Sequence, residues 1–208
     1  VNVRGTRRLL RALHGFDVEQ FVYASTMLVH APTEPGIPIT ENSPLQPKWA
    51  YPQSKLETEE VVINEHGAIP YVLVRIAGVY TDDVLPPTLA NQIQRIYERQ
   101  FTSRFFAGDI SHGQSFIHIE DLIEAIVRMI RQRRQLPAEL ELLVGEPLTM
   151  GYEALQNEIG YLIHGEIWPT ETLPKMLAKV GAGLQAQMEI AIPDSIDKGE
   201  KPFIKPFM

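Results

Sequence analysis

QFVYA, residues Gln20 to Ala24, is a short run of aromatic and β-branched side chains that leads straight into Ser25 and Thr26. Such a run reads as a buried strand. YVLVRI, Tyr71 to Ile76, opens after Pro70 and is of the near-continuous apolar kind found in parallel sheets, where both faces of a strand are covered. Between them Ala50 to Glu65 reads as a helix, with Leu56, Val62 and Ile63 as its apolar positions and its glutamates expected on the solvent side. Strand, helix, strand in that order is the signature of a parallel α/β sheet.

Outward from that unit the pattern continues. Upstream, the first residues of the chain read as a helix, with Val3, Leu10 and Leu13 on one face and Arg4, Arg7, Arg8 and Arg11 largely elsewhere. Ala31 to Trp49 holds five prolines and is expected to be a long irregular loop, a class that is usually functional or disordered. Downstream, Leu89, Ile93, Ile96 and Tyr97 form a helical stripe, and Phe116 to Ile119 is a short extended piece. Glu120 to Arg134 reads as a helix with Leu122, Ile123, Ile126, Met129 and Ile130 inward, and Leu140 to Val144 as a further strand. Helices are expected at Tyr152–Ile163 and Thr172–Gln187, followed by about 15 poorly ordered residues. There is no internal repeat.

Bulk composition excludes several classes. A net charge of −7 argues against a nucleic-acid partner, which wants a basic face. No apolar run approaches the ~20 residues needed to span a bilayer, so no membrane partner is expected. The chain has no cysteine, which removes disulfides, thiolate metal sites and catalytic thiols and fits a reducing cytoplasm, the expected location. The six histidines stand at no metal-site spacing, so no metal is expected. His118 and Asp121 read as fixing a loop-to-helix junction, and Arg128, Arg131, Arg133 and Arg134 as a solvated helix C-terminus.

The chemistry-bearing pair is Tyr51 and Lys55. Four residues apart at the start of a helix, they share a face. A tyrosine with an ordinary pKa near ~10 is a poor base at neutral pH. A nearby ammonium and the positive end of a helix both favour the phenolate, so this pair can exchange a proton with a substrate hydroxyl or carbonyl. The same spacing also fits a surface helix with a half-buried Tyr and a solvated Lys. Ser25 and Thr26 lie at the C-terminal end of the preceding strand, where open α/β sheets bind ligands. Thr26 could hold the same substrate oxygen, or merely cap a turn.

FVYAST (Phe21–Thr26) and YPQSK (Tyr51–Lys55), some 25 residues apart, resemble the catalytic core of the extended short-chain dehydrogenase/reductase (epimerase/dehydratase) family. Three further segments resemble it in the same order: NVRGTRRLLRA (Asn2–Ala12), LVRIAGVY (Leu73–Tyr80) and SFIHIEDLIEAI (Ser115–Ile126). The resemblance implies a Rossmann-like, doubly wound parallel sheet, with residues 1–80 as the later part of a cofactor-binding domain. Residues 81–208 would be mainly a small C-terminal substrate-binding subdomain, with 115–145 returning to the Rossmann-like core. It implies NAD or NADP as cofactor, a small-molecule substrate, and a possible homodimer through the opening helix and the Tyr51 helix. By resemblance Thr26 orients the substrate oxygen, Tyr51 is the general acid/base, and Lys55 lowers the Tyr51 pKa and holds the nicotinamide ribose. Asn2, Ser25 and Tyr51 would line the cofactor with Lys55. The implied activity is that of an NAD(P)-dependent oxidoreductase, with a nucleotide-sugar epimerase or dehydratase as the alternative and a non-catalytic dinucleotide sensor or scaffold as a third reading.

Two kinds of departure stand out. The family's glycine-rich pyrophosphate turn is absent, Gly181-Ala182-Gly183 having no strand before it. Three β–α units of roughly 30 residues each would supply the lost cofactor half, and without them weak or no dinucleotide binding is expected. On the substrate side, Gly78 stands where nucleotide-sugar enzymes usually carry Asn, and Gln114 where they carry Arg. Gln cannot replace a bidentate, permanently charged phosphate clamp. That shifts the expectation towards a reductase acting on an uncharged or differently charged molecule.

Overall fold

A computed structural model describes residues 2–34 and 36–172. The helix Thr172–Gln187, Gly181-Ala182-Gly183 and the C-terminal tail expected above fall, but for Thr172, outside the described residues. The first unit comprises the chain up to Thr81 together with Gln114–Thr149. It opens with α1 (Asn2–Leu13), β1 (Phe21–Thr26), α2 (Ala50–Glu65) and β2 (Tyr71–Ile76), followed by the short β3 (Gly78–Tyr80).

β2 is the hinge of the sheet. It pairs in parallel with β1, Phe21 opposite Tyr71 through Thr26 opposite Ile76. Its other edge pairs in parallel with Glu139–Val144, a strand one residue longer than read from the sequence. Because strand side chains alternate, one strand can serve two cores. Tyr71 and Leu73 pack with Leu10, Val61 and Val62 of α1 and α2. Val72 and Val74 pack with Met129 on the other side, from a helix spanning Ile119–Arg131. Covering both faces is the doubly wound arrangement, and it explains why YVLVRI lacks polar alternation. Each fully buried Val or Leu there contributes about 1.5–3 kcal/mol.

The Ile119–Arg131 helix buries Leu122 and Met129, but Ile123 and Ile130 are about half exposed, at 52% and 48%, against the inward placement expected of them. Glu120 and Asp121 lie in its first turn, where carboxylates favour the helix dipole. Arg133 and Arg134 are not simply solvated: Arg133 Nε and Arg134 Nε donate to Glu19 at 2.7 and 3.0 Å. β3 pairs in parallel with Phe116–His118, Gly78 opposite Phe116.

The second unit comprises Asp82–Gly113 and the chain from Met150 to the last described residue. Its helices Pro87–Tyr97 and Tyr152–His164 pack around Ile96, Ile159 and Trp168. A side chain at Gly160 would bring its Cβ within 2.6 Å of the Trp168 Cβ, so only glycine lets the Trp168 segment approach that helix. Among the described residues no helix is long and apolar enough to cross a membrane. No group of three or more His, Cys, Asp or Glu among them could hold a metal ion.

Candidate active site

β1 ends in Ser25 and Thr26, both nearly fully buried at 4% and 6% exposure. At Thr26 the chain leaves the sheet for a single 3-10 turn, Met27–Val29, and the Thr26 hydroxyl accepts from the Leu28 amide at 3.4 Å. The capping role is therefore real, and it leaves the Thr26 O–H free to donate elsewhere.

The prolines between Ala31 and Trp49 deny that loop regular hydrogen bonding, so it is tied down by particular contacts. Ala31 N–H donates to Pro44 O at 2.8 Å, Gln46 N–H to Val29 O at 2.8 Å, and Leu143 N–H to Glu41 Oε1 at 3.0 Å. That last bond holds the Glu41 carboxyl below the usual range. The loop delivers Trp49 in extended conformation, and α2 starts at Ala50 with Pro52 in its first turn, where a missing N–H costs nothing.

Tyr51 therefore sits in the first turn of α2, with its side chain half exposed at 48%. One turn on, the Lys55 Nζ donates to Ala24 O at 2.8 Å, which clamps α2 to the end of β1. The ammonium lies 5.1 Å from the Tyr23 ring centroid and 5.9 Å from that of Tyr51. Partial withdrawal from water pushes the Lys55 pKa down, and the Glu59 charge works in the opposite direction.

A further turn on, Glu59 is 1% exposed, although the sequence reading left the glutamates of this helix in solvent. Its burial is made tolerable by Arg75, the one charged residue in YVLVRI, itself 1% exposed. Arg75 Nη2 and Nε reach Glu59 Oε2 at 2.9 and 3.2 Å, and Nη2 also meets Glu141 Oε2 at 2.8 Å. Desolvation works against the guanidinium charge, but the two carboxylates outweigh it and raise the Arg75 pKa. Ser25 donates its hydroxyl to Glu59 Oε1. Arg75 Nη1 donates to Glu41 O at 3.2 Å and lies 3.4 Å from His30 Nε2. Burial pushes the His30 imidazole pKa down, against the pull of the Ser43 carbonyl.

Lys55 and Glu59 thus tie α2 to the C-terminal end of β1 at Ala24 and Ser25, with Thr26 the next residue of the strand and Tyr51 one helical turn before Lys55. Asn2 is exposed at the start of α1, and among the described residues no side-chain hydrogen bond joins it to that group. Gly78 and Gln114 come together as a second pair. Gly78 lies two residues past Ile76, the strand partner of Thr26, and a Cβ there would stand 3.2 Å from Gln114 Nε2 and 2.9 Å from the Phe116 ring. Glu59 and Arg75 were not singled out from sequence. The available signal was a lone arginine within an apolar strand, which demands a buried carboxylate.

A parallel sheet covered on both faces, with a Tyr-x-x-x-Lys helix clamped beside a Ser-Thr strand end, defines a Rossmann-like α/β domain. The chain belongs to the NAD dependent epimerase/dehydratase family, whose model matches residues 1–145. It is similar to dTDP-D-glucose 4,6-dehydratase of Homo sapiens, 27% identical over 165 residues, covering 78% of this chain and 46% of that protein. It is also 26% identical over 152 residues to an uncharacterized UDP-glucose epimerase of Bacillus subtilis, covering 72% of this chain and 45% of that one. The chain spans about half the length of the curated relatives it matches. Among solved structures, UDP-glucuronic acid 4-epimerase from Bacillus cereus in complex with NAD superposes with a TM-score of 0.68 at 21% identity, covering 84% of this chain and 56% of that one. That likeness speaks for the fold.

Proposed function

We propose that the whole protein is an NAD-dependent enzyme that epimerises or dehydrates a nucleotide-activated sugar, with Tyr51 as general acid/base. The observation that carries this reading is the Lys55–Ala24 clamp, which holds the Tyr51 turn of α2 against the Ser25–Thr26 end of a parallel strand. The names of the relatives reverse the order expected from sequence, where a net oxidoreductase stood first and the nucleotide-sugar enzyme second.

The residues at this strand end suit a dinucleotide. Lys55 brings three N–H donors, and its bond to Ala24 O uses one, leaving others for a ribose hydroxyl. Ser25 and Asn2 stand as further cofactor-side candidates. When bound, NAD supplies a hydride acceptor for the carbinol carbon.

The remaining work is done by this chain. Thr26, whose O–H is free to donate, orients the reacting sugar oxygen. Tyr51 takes the proton from that oxygen as the carbonyl forms and returns one when it is reduced. The first turn of α2 carries the positive end of the helix dipole, and Lys55 adds an ammonium, so both favour the phenolate during the transfer. Gly78 and Gln114, neighbours of one another through the β3 pairing, would meet the substrate without the charge that an Arg provides. That neutral pair favours one second reading, net oxidation or reduction of a substrate lacking a diphosphate.

Product analysis by NMR separates the two. The full-length protein, loaded with NAD, would be incubated with UDP- and dTDP-hexoses and, separately, with simple secondary alcohols and NAD in excess. Conversion of a nucleotide sugar without net NADH release is the expected outcome. Steady NADH release from alcohols, with every nucleotide sugar unchanged, would replace the epimerase/dehydratase reading by the redox one.

A further inference from the structure

We propose that Glu59 is a positioning residue for this site: its buried carboxylate, gripped by Arg75, fixes the Ser25 hydroxyl and supplies a counter-charge one helical turn beyond Lys55. The inference rests on the functional reading of the same strand end and adds a residue that acts through two others.

The geometry supports it from three directions. Glu59 follows Lys55 by four residues, so both lie on one face of α2. The Ser25 hydroxyl donates to Glu59 Oε1, which ties the end of the strand to the helix one turn beyond the Lys55–Ala24 bond. Arg75 meets Glu59 Oε2 through Nη2 at 2.9 Å, which fixes the carboxylate plane. Among the described residues, the titratable groups that face Lys55 come from three elements. β1 contributes the neutral Tyr23 phenol, α2 contributes Tyr51 and Glu59, and β2 contributes Arg75 behind Glu59.

A buried ion pair is a weak source of stability, because replacing both charges by apolar groups is often neutral or better. Retaining a carboxylate between Ser25 and Arg75 calls for another use. A partly desolvated ammonium releases its proton more readily, and a neutral Lys55 amine would no longer favour the Tyr51 phenolate. Glu59 opposes that loss.

The test is the titration of Lys55 in the full-length protein without NAD, followed by NMR of lysine side chains labelled at Cε and assigned with Lys55→Arg. Glu59→Gln keeps the shape and removes the charge. The expected result is a Lys55 midpoint at lower pH than in the wild type, while Glu141→Gln, which removes the other carboxylate from Arg75, leaves it in place. If Glu59→Gln does not fold, Glu59→Asp decides, with a smaller move in the same direction. A Lys55 midpoint unmoved by the folded Glu59 variant, or moved equally by Glu141→Gln, overturns the proposal. NAD titration of the wild type runs alongside. Absence of NAD binding there would sink the functional reading and leave the Lys55 result to be judged on its own.

Discussion

Both units bury polar side chains, but they bury different kinds. In the second unit the buried network around Gln156 is neutral and its members hydrogen-bond to one another. Gln156 Nε2 donates to Ser103 O at 2.6 Å and Thr170 Oγ1 at 3.2 Å, while its Oε1 accepts from Gln92 at 3.2 Å. Trp168 Nε1 donates to Ser103 Oγ at 2.9 Å. In the first unit the buried polar groups include an ion pair, Arg75 with Glu59, which reaches the part-exposed Glu141 and leads to Ser25 and the proline-rich loop. A neutral network costs little once every donor is matched, and it specifies packing. Each ion in a buried pair costs several kcal/mol of desolvation, so the charges sit where position and field are used.

That contrast can be broken in order of size. Arg75→Met leaves Glu59 buried and unpaired, and unfolding by urea should report a loss of about 3–5 kcal/mol. Adding Glu59→Leu should recover most of it. A double variant as unstable as the single one would mean the pair is needed for stability after all. In the second unit Gln156→Leu strands the Ser103 carbonyl and the Gln92 amide, for a loss of about 1–3 kcal/mol. That loss should not change with pH, because no titrating group takes part; a pH-dependent loss would contradict the neutral account.

The smallest effect concerns acid. The His30 pKa is lowered on folding, chiefly by burial, so the unfolded chain binds the extra proton first. The stability conferred by neutral His30 is complete above its ordinary value of 6.5 and declines as pH falls from there towards the folded pKa. His30→Gln should flatten thermal midpoints across that window. The Ser43 carbonyl and the Glu59 and Glu141 charges oppose the shift, and Arg75 reinforces it, so the effect is modest. Equal slopes in the two proteins would remove His30 from the explanation.

Sequence reading carried far where a single physical rule dominated. β2 was legible because burial on both faces leaves no polar alternation, and the Tyr51–Lys55 pair because helix geometry fixes its spacing. It failed where the rules compete. Ile123 and Ile130 are apolar yet half exposed, because the face of their helix is set by the sheet it covers. α2 buries Val62 and Val61 but also Thr58 and Glu59, while Ile63 stays 39% exposed, so its apolar positions mark its buried face only in part. Glu59 became intelligible only once Arg75 was seen beside it, across 16 residues of chain. Gly78 and Gln114 lie far apart in sequence and become neighbours through the pairing of β3 with Phe116–His118.

The central claim is that Tyr51 moves the proton at the end of β1. Turnover of the accepted substrate and NAD affinity should be measured together for the full-length wild type and Tyr51→Phe. The account predicts a fall in turnover of about 10²–10⁴-fold, since only the hydroxyl is lost, with NAD affinity unchanged. Turnover retained within a few-fold in Tyr51→Phe would contradict it.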